Sequence, residues 1–146
     1  MMELSKHLYF SSEPKEMDFD LIFNFIKSTY WGNVRTKEEQ QKAMENTLNF
    51  GLFYKNEQVA FARVMTDKVF FAYLLDVFVV EAHRGKGWSK LLIKNILNDP
   101  ELINIDKWML ATKDTHGLYE KFGFNLVKSP EKLMEKLSLR AKKIYE

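Results

Sequence analysis

Residues 84 to 89 read Arg84, Gly85, Lys86, Gly87, Trp88 and Ser89, set between a long apolar run and an apolar-periodic stretch. A strand that empties through a short basic, glycine-bearing turn into a helix N-terminus makes an anion site. The N–H groups of the first helical turn have no partner of their own, and the helix dipole favours negative charge there. Two glycines let a ligand approach the backbone where a Cβ would collide. Arg84, Lys86 and Lys90 add positive charge. The chemistry indicated is the holding of a phosphorylated group.

Two phosphate loops can be tested against this turn. The Walker A spacing is absent. The dinucleotide fingerprint needs a third glycine where this chain has Lys90, and no acidic residue stands at a strand end about twenty positions on to hold a ribose; Glu101 is nearest but falls in a loop beside Pro100. With Arg84, Gly87 and Ser89 as Arg-x-x-Gly-x-small after a long strand, the turn resembles the coenzyme A turn of the GNAT acyltransferases, serine replacing the usual last glycine or alanine. A second segment, Gly117-Leu118-Tyr119-Glu120-Lys121-Phe122-Gly123-Phe124, is similar to that family's short helix and following strand. The resemblance covers roughly residues 50 to 137.

The resemblance implies an acetyl-CoA-dependent N-acetyltransferase that moves an acetyl group directly to a primary amine of a small or amino-acid-like acceptor. It implies a mixed, mostly antiparallel sheet with strands four and five splayed and helices on both faces. The pantetheine arm would pair with backbone groups of Val77, Phe78 and Val79, and the pyrophosphate would fall on the amides of Arg84 through Ser89, leaving the side chains of Phe78 and Trp88 free to vary. Tyr119 takes the place of the general acid: a phenol with pKa near 10 stays protonated at neutral pH and can donate to a departing thiolate. Relatives often carry an asparagine seven residues before that tyrosine; Thr112 stands here, and the contact falls to Thr112, to Asp114 or to neither.

The base is open. Asp76 interrupts the apolar strand and can order a water near the amine, or it can simply bond to a neighbouring element, since a bare buried carboxylate is costly. Glu81, His83 and His116 read equally well as turn or capping residues. The acceptor wall is expected from the segment around Tyr30, Trp31 and Arg35, with Arg35 able to hold a carboxylate; the two aromatics read equally well as packing.

The elements that must position these groups follow from patterning. Residues 7 to 11 read as an opening strand. Asp18 caps a helix with Phe19, Ile22, Phe23 and Ile26 on one face, and Thr36 to Glu39 is a capping box for a second. Phe50 to Tyr54 and Val59 to Met65 are strands, Phe70 to Val80 a central strand covered on both faces, and Lys107 to Thr112 another. The helix after the glycine turn carries Leu91, Leu92, Ile96 and Leu97; a short helix spans Gly117 to Phe122. Leu126-Val127 and Met134 to Leu137 are expected as short strands, with 138 to 146 a tail. The order gives a mixed α/β sheet.

At 146 residues, one domain over 1–146 is expected. There is no Cys, which rules out a disulfide framework, a thiolate zinc site and an acyl-cysteine intermediate; no metal is called for. The 22 basic and 20 acidic residues balance too closely for a nucleic-acid surface. No signal peptide or membrane span is visible, so a cytoplasmic place is the default expectation. Dimers are frequent in the family, and the basic C-terminal segment Lys132 to Lys143 can lie as a solvated helix or tail, take part in a dimer, or contact the anionic nucleotide end of a cofactor in a neighbouring subunit. Two other readings stay open: a CoA-binding module of the same fold without catalysis, and a nucleotide-binding domain.

Overall fold

A computed structural model describes all residues from Met1 to Glu146. Six strands follow one another across a single sheet in chain order: β1 (Met2–Ser5), β2 (Leu8–Ser11), β3 (Leu48–Tyr54), β4 (Glu57–Thr66), β5 (Phe71–Val79) and β6 (Lys107–Leu110). All neighbours are antiparallel except β5 and β6, which run parallel. That parallel pair requires a crossover, and α3 (Trp88–Leu97) supplies it. No helix is long and apolar enough to cross a membrane.

Alternate residues of β4 enter two separate cores. Ala60, Ala62 and Val64 pack with Leu92, Ile93 and Ile96 of α3. Phe61, between them, packs on the opposite face with Ile22 and Ile26 of α1 (Phe19–Lys27) and Met44 of α2 (Lys37–Glu45). Helices therefore cover both faces, as the order of elements requires. Both α1 and α2 start where expected: Asp18 accepts from the Leu21 N–H at 3.1 Å, and Thr36 and Glu39 form a reciprocal capping box.

Five expectations need correction. An additional strand, β1, precedes the opening one; Lys6 and His7 turn the chain between them, His7 with φ +66°, so the splayed pair becomes β5 and β6 rather than the fourth and fifth strands. The central strand is not sealed on both faces. Its residues alternate between buried and half-buried, and Phe70 is 66% exposed beyond its start. Leu126-Val127 and Met134–Leu137 are not strands. The sheet ends at four-residue β6, and the apolar side chains of Leu126 and Met134 lie in solvent. The tail forms α5 (Leu139–Tyr145), capped by Ser138 and tied to α2 by an Arg140–Glu39 ion pair at 3.0 Å. α4 spans only His116–Glu120.

α3 carries the glycine turn at its N-terminus, so its seating on the sheet fixes the turn. Ile96 is 1% exposed in that interface. Ile96→Ala is expected to cost about 2–5 kcal/mol in urea denaturation, by loss of transfer energy and creation of a cavity.

Candidate active site

β5 and β6 part company early. Their pairing runs from Phe71 opposite Lys107 to Leu74 opposite Leu110 and stops. Just beyond, β5 carries one residue too many for β4: Phe78 faces Phe61, but Leu75 faces Arg63, so two residues of β5 oppose Ala62. Asp76 lies in this bulge with φ +55°, a left-handed conformation that aspartate tolerates better than most residues. The bulge reverses the alternation. Leu74 packs on the α3 side, yet after the bulge Phe78 enters the α1 side, its ring 3.9 Å from that of Phe25.

A cleft of ≈ 410 Å³ occupies the gap, with Val77, Phe78 and Val79 on one wall and Tyr119 and Leu118 of α4 on another. The Val80 N–H bonds to Val59 of β4. By strand alternation the Phe78 backbone also faces β4, while those of Val77 and Val79 face the cleft. The expected trio of backbone contacts is thus reduced to two, and Phe78 is a core residue whose ring is not free to vary. Arg84 Nε donates to the Val79 carbonyl at 3.2 Å, which leaves both polar groups of Val77 and the N–H of Val79 toward the cleft.

The turn closes one end. Gly85 and Gly87 have φ of +83° and +77°, and a Cβ at either would meet no protein atom within 4 Å. Glycine is required there by backbone conformation, and the space in front of it is open. Gly87 caps α3 without a side chain, and no backbone N–H from Gly85 to Lys90 is hydrogen-bonded within the chain. This is a run of aimed, unspent donors at the positive end of a helix dipole. The Lys86 ammonium does not reach into it: it sits 2.9 Å from His83 Nδ1 and over the rings of Trp88 and Tyr54, at 4.9 and 5.8 Å. Trp88 stacks on His83 as well. Lys121 is held below the ordinary lysine value by its hydrogen-bonding contact with Lys90 and by the Lys90 charge, so two lysine amino groups meet beside the first turn of α3.

Tyr119 is buried, and burial pushes its phenol above the usual value of 10.0. Its hydroxyl bonds to no protein group, so it does not serve a structural network. It borders the cleft and also a second cavity of ≈ 250 Å³ behind β6. His116 and Thr112 line that second cavity, away from the cleft. The Thr112 hydroxyl lies 2.6 Å from that of Thr115 and accepts its N–H in a local turn, and Thr115 is the residue of the two that lines the cleft.

On the far side, Phe25, Thr29 and Trp31 line the cleft. Tyr30 stands outside, exposed, under the ammonium of Lys113, so that the α1–α2 loop and the β6–α4 loop meet there. Arg35 lies over the Trp31 ring at 5.2 Å. Asp76 is not a free base. Its Oδ2 accepts from Arg63 Nε at 2.6 Å, Arg35 Nη1 at 2.8 Å and Gln40 Nε2 at 3.5 Å. Burial opposes its ionisation, but the bonds and charges of Arg35 and Arg63 outweigh burial and hold the carboxyl below its ordinary range. Gln40 and Arg63 were not anticipated. Arg63 had the same signature as Asp76, one charge inside the apolar run of β4, and two opposite charges interrupting adjacent strands point to each other.

Comparison with known proteins gives a consistent result. The model of the acetyltransferase (GNAT) domain matches residues 46–126. A protein of Xanthomonas campestris pv. campestris assigned to the GNAT family is 39% identical, with a TM-score of 0.87 over 90% of this chain and 94% of that one. A Gibberella zeae protein named as an acetyltransferase is 27% identical over 76% of this chain and 75% of its own length. The fold is also that of a Clostridium acetobutylicum structure with acetyl-CoA, 16% identical, with a TM-score of 0.68 over 91% of this chain and 97% of that one.

Asp76 links the cleft to stability. Its folded pKa is depressed, so its stabilisation is complete above the unfolded value near 4 and is lost as pH falls through that value toward the folded one. Asp76→Asn should flatten this acid limb in pH-dependent urea melts. Asp76→Ala, which strands two arginines, should cost about 3–5 kcal/mol at pH 7.

Proposed function

Since the chain belongs to the GNAT acetyltransferases, we propose that it transfers an acetyl group from acetyl-CoA directly to a primary amine of a small acceptor, with residues 1–146 acting as one domain. The observation that carries the reading is the run of unbonded amides from Gly85 to Lys90 at one end of a cleft whose other wall presents the unpartnered Tyr119 hydroxyl. Acetyl-CoA, when bound, supplies a reactive thioester, a diphosphate and an extended amide-bearing arm.

The residues present fit such a group. The free amides, with Arg84 beside them, offer donors to a diphosphate. The polar groups of Val77 and the N–H of Val79 form a short open strand edge on which an extended chain can pair. Tyr119 holds a proton at its Oη for the sulfur that leaves as the C–N bond forms and the C–S bond breaks; the proton lost by the amine goes to solvent. A raised phenol pKa keeps that proton in place through the neutral range. With no Cys in the chain, no thiol acyl-enzyme is available, which favours direct transfer. Proximity supplies much of the rate.

Calorimetry should show acetyl-CoA and CoA binding with ATP and NAD much weaker; equal binding of NAD would overturn the assignment of the turn. Tyr119→Phe should lower kcat in a thiol-release assay by about 10²–10⁴-fold with acetyl-CoA affinity unchanged. Wild-type kcat across the pH range would remove the tyrosine from the chemistry.

A further inference from the structure

Two guanidinium groups share one carboxylate behind the cleft. The Asp76 side chain is 2% exposed, that of Arg63 8% and that of Arg35 22%, and no other acidic group bonds to either arginine. The cluster therefore carries a net positive charge, and its unbonded guanidinium nitrogens keep contact with solvent, where an anion can reach them. The donors are spent unevenly. Arg63 uses only Nε and Arg35 only Nη1, both on the same oxygen of Asp76, with Gln40 Oε1 accepting a second bond from Arg35 Nη1 at 2.9 Å. Nε and Nη2 of Arg35 and both Nη atoms of Arg63 donate to nothing in the protein. A guanidinium fork with free parallel donors matches a carboxylate in geometry as well as charge.

The more exposed of the two arginines stands behind the Trp31 wall of the cleft and does not itself line it. Arg35 lies over Trp31, and Trp31 lines the cleft beside Phe25 and Thr29. Its loop is held in place before any ligand arrives. Thr29 Oγ1 accepts the Gly32 N–H at 2.9 Å, and a Cβ on Gly32 would meet Ile26 Cγ2 at 2.5 Å, so the loop packs directly on α1. Lys113 lies over Tyr30 where the two loops meet, outside the cleft.

We infer that the acceptor amine carries a carboxylate, received by the free donors of Arg35 against the Trp31 ring, with Asp76 and Gln40 as positioning residues that aim the guanidinium. The inference rests on the acetyltransferase reading and narrows it to one class of acceptor, small amino acids and related ω-amino acids. It also gives a second use to Asp76 in place of proton abstraction.

The test is thiol release at saturating acetyl-CoA with three matched families of straight-chain primary amines, ending in carboxylate, carboxamide or phosphonate. Wild-type protein should prefer the best carboxylate over its carboxamide by about 10–100-fold in kcat/KM, the worth of a charged hydrogen bond. Arg35→Gln should erase that preference mainly through KM, Arg35→Lys should restore part of it, and calorimetric acetyl-CoA affinity should be unchanged in both. Equal turnover of carboxamides by wild type, a preference for phosphonates, or a preference that survives Arg35→Gln would overturn the inference and leave acetyl transfer standing. Failure of wild type to bind acetyl-CoA would overturn both. The wild-type comparison decides the matter even if Arg35→Gln does not fold.

Discussion

Everything at the site depends on one extra residue in β5. Asp76 has no counterpart across β4, adopts a left-handed backbone and buries a carboxylate under two guanidinium groups. A bulge alone would be a local irregularity costing about 1–2 kcal/mol for the left-handed residue. Here the ion cluster holds it, and three consequences follow. The alternation of β5 reverses, so Phe78 enters the α1–α2 core while Val77 and Val79 turn their backbones outward. The strand bends, and its pairing with β6 ends before the bulge, at Leu74. The gap so created is the cleft.

Two positive features lie near the cleft, one at its end and one behind it, and a neutral phenol borders it. At one end the charge is partial and carried by backbone: an uncapped helix start with its amides unspent. Behind the cleft it is formal and carried by side chains, two arginines on one aspartate. The physics differs. Backbone amides at a helix terminus cannot be repositioned by side-chain rotation, which suits a ligand that must be placed to within a fraction of an ångström. A guanidinium braced by a glutamine and an aspartate is nearly as rigid, yet its identity can change by one substitution while the sheet stays as it is. Tyr119 lies where burial favours its neutral form.

The aromatic residues near the turn have a different task. Tyr54, His83 and Trp88 pack together, and Lys86 lies over two of them. The ammonium that looked like a phosphate ligand is thus held on ring faces, while Arg84 turns back to Val79. Electropositive character at the turn comes from the unbonded backbone amides together with the Lys90 and Lys121 amino groups beside them.

What the sequence determined by itself were features that depend on near neighbours. The caps of α1 and α2, the glycine turn and its helix, the apolar strands and the position of Tyr119 all rest on spacings of a few residues, and local geometry suffices to read them. The identification of the family followed from two such motifs in order. Tertiary structure alone decided what depends on partners distant along the chain. Leu126-Val127 and Met134–Leu137 have strand-like composition, but a strand exists only where a neighbour offers its hydrogen bonds, and β6 is too short and ends too soon to do so. Spacing left the asparagine position to Thr112, to Asp114 or to neither, and the folded chain pairs the Thr112 hydroxyl with that of Thr115. Asp76 looked equally like a base or a structural carboxylate, and its role turned on Arg35, Arg63 and Gln40, 41, 13 and 36 residues away in sequence. Charge in an apolar strand announces that a partner must exist; only the folded chain says which one, because the energy of a buried ion depends on the few ångströms around it and not on the residues that precede it.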